Sequence, residues 1–196
     1  MPSVPLRDAV VVIDIEATCW QGGGVPQGQR NEIIEIGACL VDVETGTVSA
    51  PTSFLVKPVV STLDPFCTEL TSITPQMLEA DGLTFDEACA RLVEQYRTPE
   101  RLWGSWGNYD RNLFISQCAQ AEVPYPFGKA HVNLKKVFMR FASPRQSMGM
   151  KEALAHLEIP LVGTHHRGGD DAYNTGQILS VLLARHGGGV LKKYWK

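Results

Sequence analysis

The sequence predicts an α/β domain in which a β-hairpin meander is followed by alternating strands and helices. Three observations carry this. The run Val10-Val11-Val12-Ile13-Asp14-Ile15-Glu16 is apolar enough to be a buried strand. Residues 33–42 and 47–57 are strand-like and flank a turn at Glu44-Thr45-Gly46, which reads as a hairpin. Beyond residue 75, segments with helical spacing alternate with short apolar strands.

The elements follow in order. The first strand covers residues 9–16, and a Gly-rich loop follows over 21–30. The hairpin strands come next. Pro58, Pro65 and Pro75 make residues 58–75 an irregular loop. Thr74 before Pro75, and Thr84 before residues 85–97, are N-cap signatures. In the second of these helices Phe85, Ala88, Leu92 and Tyr96 share a face. A strand over 102–106 leads to a helix over 110–121. A strand over 132–134 leads to helices over 135–142 and 149–157. The last helix runs over 170–185 and stops at Gly187-Gly188-Gly189.

The 196 residues, 44% hydrophobic and 20% charged, suit a single globular domain over 1–196 with its core at about 9–186. A net charge of −3 argues against a long duplex footprint but not against an enzyme that grips a short strand end. Cysteines 19, 39, 67, 89 and 118 show no C-x-x-C spacing, which predicts reduced thiols in a cytoplasmic protein. No signal-peptide pattern and no apolar run near 20 residues appears, so no membrane partner is expected.

Three motifs carry chemistry. Side chains at i and i+2 of a strand point the same way, so Asp14 and Glu16 converge. A buried, unpaired carboxylate costs several kcal/mol, and a divalent cation is the simplest partner for two. The bland alternative is a solvated strand end. The second motif, Trp103-Gly104-Ser105-Trp106-Gly107-Asn108-Tyr109-Asp110, places Asp110 at a strand-to-helix junction. Asn108 or Asp110 would equally serve there as a helix cap. The third is His165-His166-Arg167-Gly168-Gly169-Asp170-Asp171. Asp171 aligns with Ile178 and Leu182 on the apolar face, whereas Asp170 aligns with Asn174 and Gln177. Acids in a first turn also suit the helix dipole.

The order D-x-E, a mid-chain Asp, then H-x4-D resembles that of the DEDDh 3′→5′ exonucleases, such as the DnaQ proofreading subunit and RNase T. Four strings are similar to the ERI-1-like branch of that family: Asp14 to Trp20, Glu32 to Ala38, Phe66 to Thr74, and Pro124-Tyr125-Pro126-Phe127. The likeness spans about residues 9–185. It implies an RNase H-like mixed five-stranded sheet, an antiparallel meander plus parallel strands, with helices on both faces. By position, Asp14, Glu16, Asp110 and Asp171 match the four metal-binding acids, and His166 matches the general base. His165 with Asp170 has the same spacing as His166 with Asp171; the second pair is chosen because Asp171-Ala172 fits the family and Asp171 faces inward.

The implied mechanism uses two Mg²⁺ (or Mn²⁺) ions about 3.5–4 Å apart. Asp14 bridges them, Glu16 and Asp171 complete one, Asp110 reaches the other, and His166 takes a proton from the attacking water. The implied partner is the 3′ end of single-stranded nucleic acid, with RNA favoured over DNA, and the product is a nucleoside 5′-monophosphate. The chain has no room for the extra nucleic-acid-binding domain of some animal relatives, which argues against a stem-loop substrate. Expected substrate contacts are Ala17, Thr18, Phe66, Leu70 and Ile73, with Trp20 either a stacking or a packing residue. Arg30, Arg111 and Arg167 are candidates for phosphate. The competing readings are a catalytically reduced RNase H-like binding module and a DNA proofreading or repair exonuclease. Oligomeric state is not legible.

Overall fold

The computed structural model describes residues 6–195. Among them are the strands β1 (Leu6–Ala17), β2 (Ile33–Asp42), β3 (Thr52–Leu55), β4 (Arg101–Ser105) and β5 (His131–Asn133). The helices are α1 (Pro65–Thr71), α2 (Pro75–Asp81), α3 (Phe85–Tyr96), α4 (Tyr109–Ala121), α5 (Leu134–Phe141), α6 (Met150–His156) and α7 (Gly168–His186). The strands form one five-stranded sheet in the order β3-β2-β1-β4-β5. β1–β2 and β2–β3 pair antiparallel, β1–β4 and β4–β5 parallel. This is the mixed sheet that the sequence implies.

β1 is central, and its unbroken apolar run follows from burial on both sides. Val10 and Val12 face a core completed by Phe138 of α5, Leu154 of α6, and Ile178 and Leu182 of α7. Val11, Ile13 and Ile15 face a second core, covered by Phe85 and Leu92 of α3 and Phe114 of α4. Asp14 and Glu16 fall in the same alternation as Val10 and Val12, so they point to the α7 side. The Thr74 and Thr84 caps form as expected, the second as a capping box with Glu87.

Four expectations are corrected. Residues 58–75 are not all irregular, because α1 occupies Pro65–Thr71. Asp64 caps it by accepting from the Phe66 N–H, and Pro65 at its first position starts the helix rather than breaking it. β3 is shorter than residues 47–57: Val48 and Val56 make only isolated bridges, to Val41 and Leu83. Pro51, just before β3, has no N–H for the ladder. α7 starts two residues earlier than residue 170, at Gly168. The last helix does stop before Gly187, but the core extends past residue 186, because 3₁₀ turns over Gly187–Tyr194 bury Val190 and Leu191.

Gly37 of β2 meets the start of α7. A Cβ at Gly37 would lie 1.9 Å from the Gly168 carbonyl carbon, so only glycine admits the helix at this depth. Gly37→Ala is therefore expected to push α7 outward and cost about 3 kcal/mol, read as a lowered melting temperature. An unchanged melting temperature would contradict this close docking.

Candidate active site

The sequence-predicted acids meet where β1 ends. Asp14 and Glu16 come from β1, Asp110 from the first turn of α4, and Asp171 from the first turn of α7. Oxygens of Asp14, Glu16 and Asp171 all lie within 4.8 Å of one another. A bulge follows at once: Glu16 is opposite Glu35, but Ala17 is opposite Ile33. Asp110 stands outside this trio but is tied to it, because its Oδ1 accepts the Ile15 N–H at 3.2 Å. Neither Asn108 nor Asp110 caps α4 with its side chain. Both side chains have non-local partners instead, the Ile15 N–H for Asp110 and Asn133 for Asn108.

Charge is unbalanced here. Burial, then the negative fields of Asp171, Glu35 and Asp110, push Glu16 up to about 8. Asp14 is pushed well above the usual carboxylate range by burial and then by Asp110, Glu16 and Asp171. Burial also raises Asp110, against the Ser105 hydroxyl and the Ile15 N–H. Asp171 rises with burial, against the His166 N–H and His165. Acids that converge and resist ionising together lack positive charge, and hard divalent cations with oxygen ligands fit that deficit.

Glu35, which the sequence reading did not single out as a functional acid, is fully buried but satisfied. Its carboxylate accepts from Arg167 Nη2 at 2.8 Å, Arg167 Nε at 3.2 Å and the Gly168 N–H at 2.7 Å. This pair fastens β2 to the start of α7, so Arg167 is engaged here rather than free for phosphate. Arg30 likewise pairs with Glu32, which also accepts the N–H groups of Val59, Val60 and Ser61.

The two histidines divide their contacts. His165 Nδ1 lies 2.9 Å from Asp171 Oδ2, and His166 donates its backbone N–H to the same oxygen at 2.9 Å. The rings stack at 4.0 Å. His166 holds a left-handed φ of 66°. Burial, then the neighbouring His165, lower its pKa, which keeps the imidazole neutral near pH 7.

The expected substrate contacts separate by exposure. Leu70 is exposed and Phe66 half-buried, so both are available on α1. Ile73 and Thr18 are buried, so their side chains are packed inside the fold, and the burial of Trp20 favours its packing alternative. Ile73 joins the core under α1, and the Thr18 hydroxyl is engaged with the Arg30 carbonyl and the Glu32 N–H. Ala17 keeps only an 8% exposed edge. Tyr109 was missed: it is 56% exposed, adjoins Asp110 and feels the fields of Glu16 and Cys19. A tyrosine before a helix-start Asp has no distinguishing sequence signal. Burial and then the Cys67 thiol push Cys19 up to about 12, which disfavours its thiolate.

A family model for exonucleases of the RNase T type matches residues 11–179. The chain belongs to this exonuclease family. The exonuclease chain is 25% identical over 195 residues to the 3′-5′ exonuclease Snipper of Drosophila melanogaster, covering 89% of this chain and 69% of that protein. It is 30% identical over 189 residues to the 3′-5′ exoribonuclease 1 of Homo sapiens, covering 90% of this chain and 52% of that protein. The chain thus spans about half the length of that human relative. The crystal structure of the nuclease domain of 3′hExo, a DEDDh family member bound to rAMP, superposes with a TM-score of 0.82 at 26% identity. That match covers 94% of this chain and 96% of the other. The DEDDh resemblance and the RNase H-like fold are both borne out.

Glu16 links pH to stability. The ordinary glutamate value is 4.5 and the folded value is about 8. Between those pH values the unfolded chain releases this proton first, so native stability falls as pH rises. A cation that binds ionised carboxylates offsets the loss. Mg²⁺ or Mn²⁺ is expected to raise the melting temperature by several degrees at pH 8 and much less at pH 5. Equal or absent shifts in a fluorimetric melt would contradict a cation site.

Proposed function

We propose that this chain is a 3′→5′ exonuclease that removes nucleoside 5′-monophosphates one at a time from single-stranded nucleic acid, with RNA favoured. The observation that carries the reading is the convergence of Asp14, Glu16 and Asp171 within 4.8 Å, with Asp110 tied to the strand between the first two. The RNA preference is supported by relatives named as exoribonucleases and by the rAMP bound to 3′hExo.

Asp14, Glu16, Asp110 and Asp171 are the ligands proposed for two Mg²⁺ or Mn²⁺ ions. When bound, such ions supply Lewis acidity to the phosphodiester and to the attacking water. The chain's own residues do the rest. Asp14 lies in the Glu16–Asp171 group and feels the charge of Asp110, so it would suit contact with both ions. His166, neutral near pH 7, accepts the proton of the attacking water. Phe66 and Leu70 on α1 pack against the terminal base, where one aromatic contact is worth about 1–3 kcal/mol and tolerates any base. Exposed Tyr109 adjoins Asp110 in the first turn of α4.

A panel of 3′-labelled and 5′-labelled single-stranded RNA and DNA, with Mg²⁺, Mn²⁺ or chelator, tests the reading. Mononucleotide release from the 3′ end is expected, faster on RNA and abolished by chelator. Internal cleavage or activity in chelator would overturn it, and faster DNA turnover would favour a DNA exonuclease. Asp14→Asn and Asp171→Asn should each lower the rate by about 10³-fold or more. His166→Ala should lower it by about 10²–10⁴-fold. His165→Ala should cost far less, and the reverse ranking would assign the base to His165.

A further inference from the structure

The histidine doublet holds one imidazole more than the proposed chemistry uses. His166 is the proposed base, and His165 has no part in that reaction. Consecutive side chains of an extended chain point apart. The left-handed φ of 66° at His166 turns the chain instead. The two rings lie face to face, 4.0 Å apart and 18° from parallel. Both sit beside Asp171. His165 Nδ1 is 2.9 Å from its Oδ2 and 3.1 Å from its Oδ1. The His166 backbone N–H holds the same Oδ2 at 2.9 Å. One ligand atom from each of His165, His166 and Asp171 lies within 4.8 Å of the other two.

This group differs in kind from the acids. Asp14, Glu16 and Asp171 offer oxygen alone, the donor set of a hard ion such as Mg²⁺. His165, His166 and Asp171 offer two imidazoles and one carboxylate, which suit Zn²⁺ and its transition-metal neighbours. The spacing fits as well. Zn²⁺ bonds of about 2.0–2.2 Å to nitrogen and oxygen set two tetrahedral ligands roughly 3.3 Å apart. His165 Nδ1 and Asp171 Oδ1, at 3.1 Å, are already close to that separation. Three protein ligands leave a fourth position for water. The group is also reachable, because the His165 side chain is 32% exposed. A neutral imidazole has one nitrogen free to accept. An ion on His166 occupies that nitrogen, and the ring can no longer take a proton from water.

We propose that His165, His166 and Asp171 form a second metal site, selective for Zn²⁺-like ions, and that filling it switches the exonuclease off. The switch rests on the reading of His166 as the base; the binding does not. ¹⁵N NMR of the histidine rings in the intact protein reads the site directly and needs no variant. Zn²⁺ added in excess Mg²⁺ is expected to move a ring nitrogen of both His165 and His166 to the metal-bound range. Competition with a chromophoric chelator should give one such Zn²⁺ per chain. His165→Ala should weaken it by about 100-fold or more, beyond the loss typical of an outer-shell partner. Zn²⁺ should inhibit Mg²⁺-supported turnover of the parent. His165→Ala, compared with its own zinc-free rate, should need about 100-fold more Zn²⁺ for the same inhibition. Either ring unmoved by Zn²⁺, or equal Zn²⁺ affinity in His165→Ala, would overturn the site. Zn²⁺ on both rings with turnover undiminished would overturn the switch. A parent with no Mg²⁺-dependent turnover would instead overturn the exonuclease reading, while the ring nitrogens still decide the site.

Discussion

Asp14, Glu16 and Asp171 meet at the end of a strand buried on both sides, with Asp110 close behind. Their carboxyls repel one another and are poorly solvated, so together they cannot ionise at low cost without an added positive charge. A protein selected only for stability would place apolar or hydrogen-bonding groups there. Glu35, one strand away, shows the contrast: a fully buried acid satisfied by Arg167 and the Gly168 N–H. The two kinds of acid lie side by side, one completed by protein groups and the other set open to a cation.

The surrounding framework holds this geometry. Gly37 admits the start of α7 against β2, and the Glu35–Arg167 pair fixes it there. The bulge after Glu16 ends regular pairing where the site begins. The Ile15 N–H holds Asp110 against the strand that carries Asp14 and Glu16. Helix α1, started by Asp64 and Pro65, brings Phe66 and Leu70 to the rim. Each part is modest alone, and together they aim four side chains from three elements at one space.

What was legible in the sequence follows physical locality. Strand alternation puts Asp14 and Glu16 on a common face, and the helical wheel turns Asp171 inward. Asp110 stayed ambiguous between ligand and cap because its deciding partner, the Ile15 N–H, is 95 residues away. The prolines of residues 58–75 concealed α1, although Asp64-Pro65 is a cap-and-start signal. Trp20 could have been a platform or a core residue, and burial decided for the core. Glu35 had no sequence signal because its importance lies in contacts with Arg167 and Gly168, more than 130 residues away. In the histidine doublet, the ring of His165 and the backbone N–H of His166 share the same carboxylate, a division that spacing alone does not encode.

The role proposed for these acids is to hold two divalent cations, with Asp14 in contact with both. Anomalous diffraction from crystals grown with Mn²⁺ and a nucleoside 5′-monophosphate measures it most directly. The account predicts two peaks, both within bonding distance of Asp14, one also contacting Glu16 and Asp171 and the other on the Asp110 side. An absence of peaks, or peaks that leave Asp14 without a bond to either ion, would contradict it.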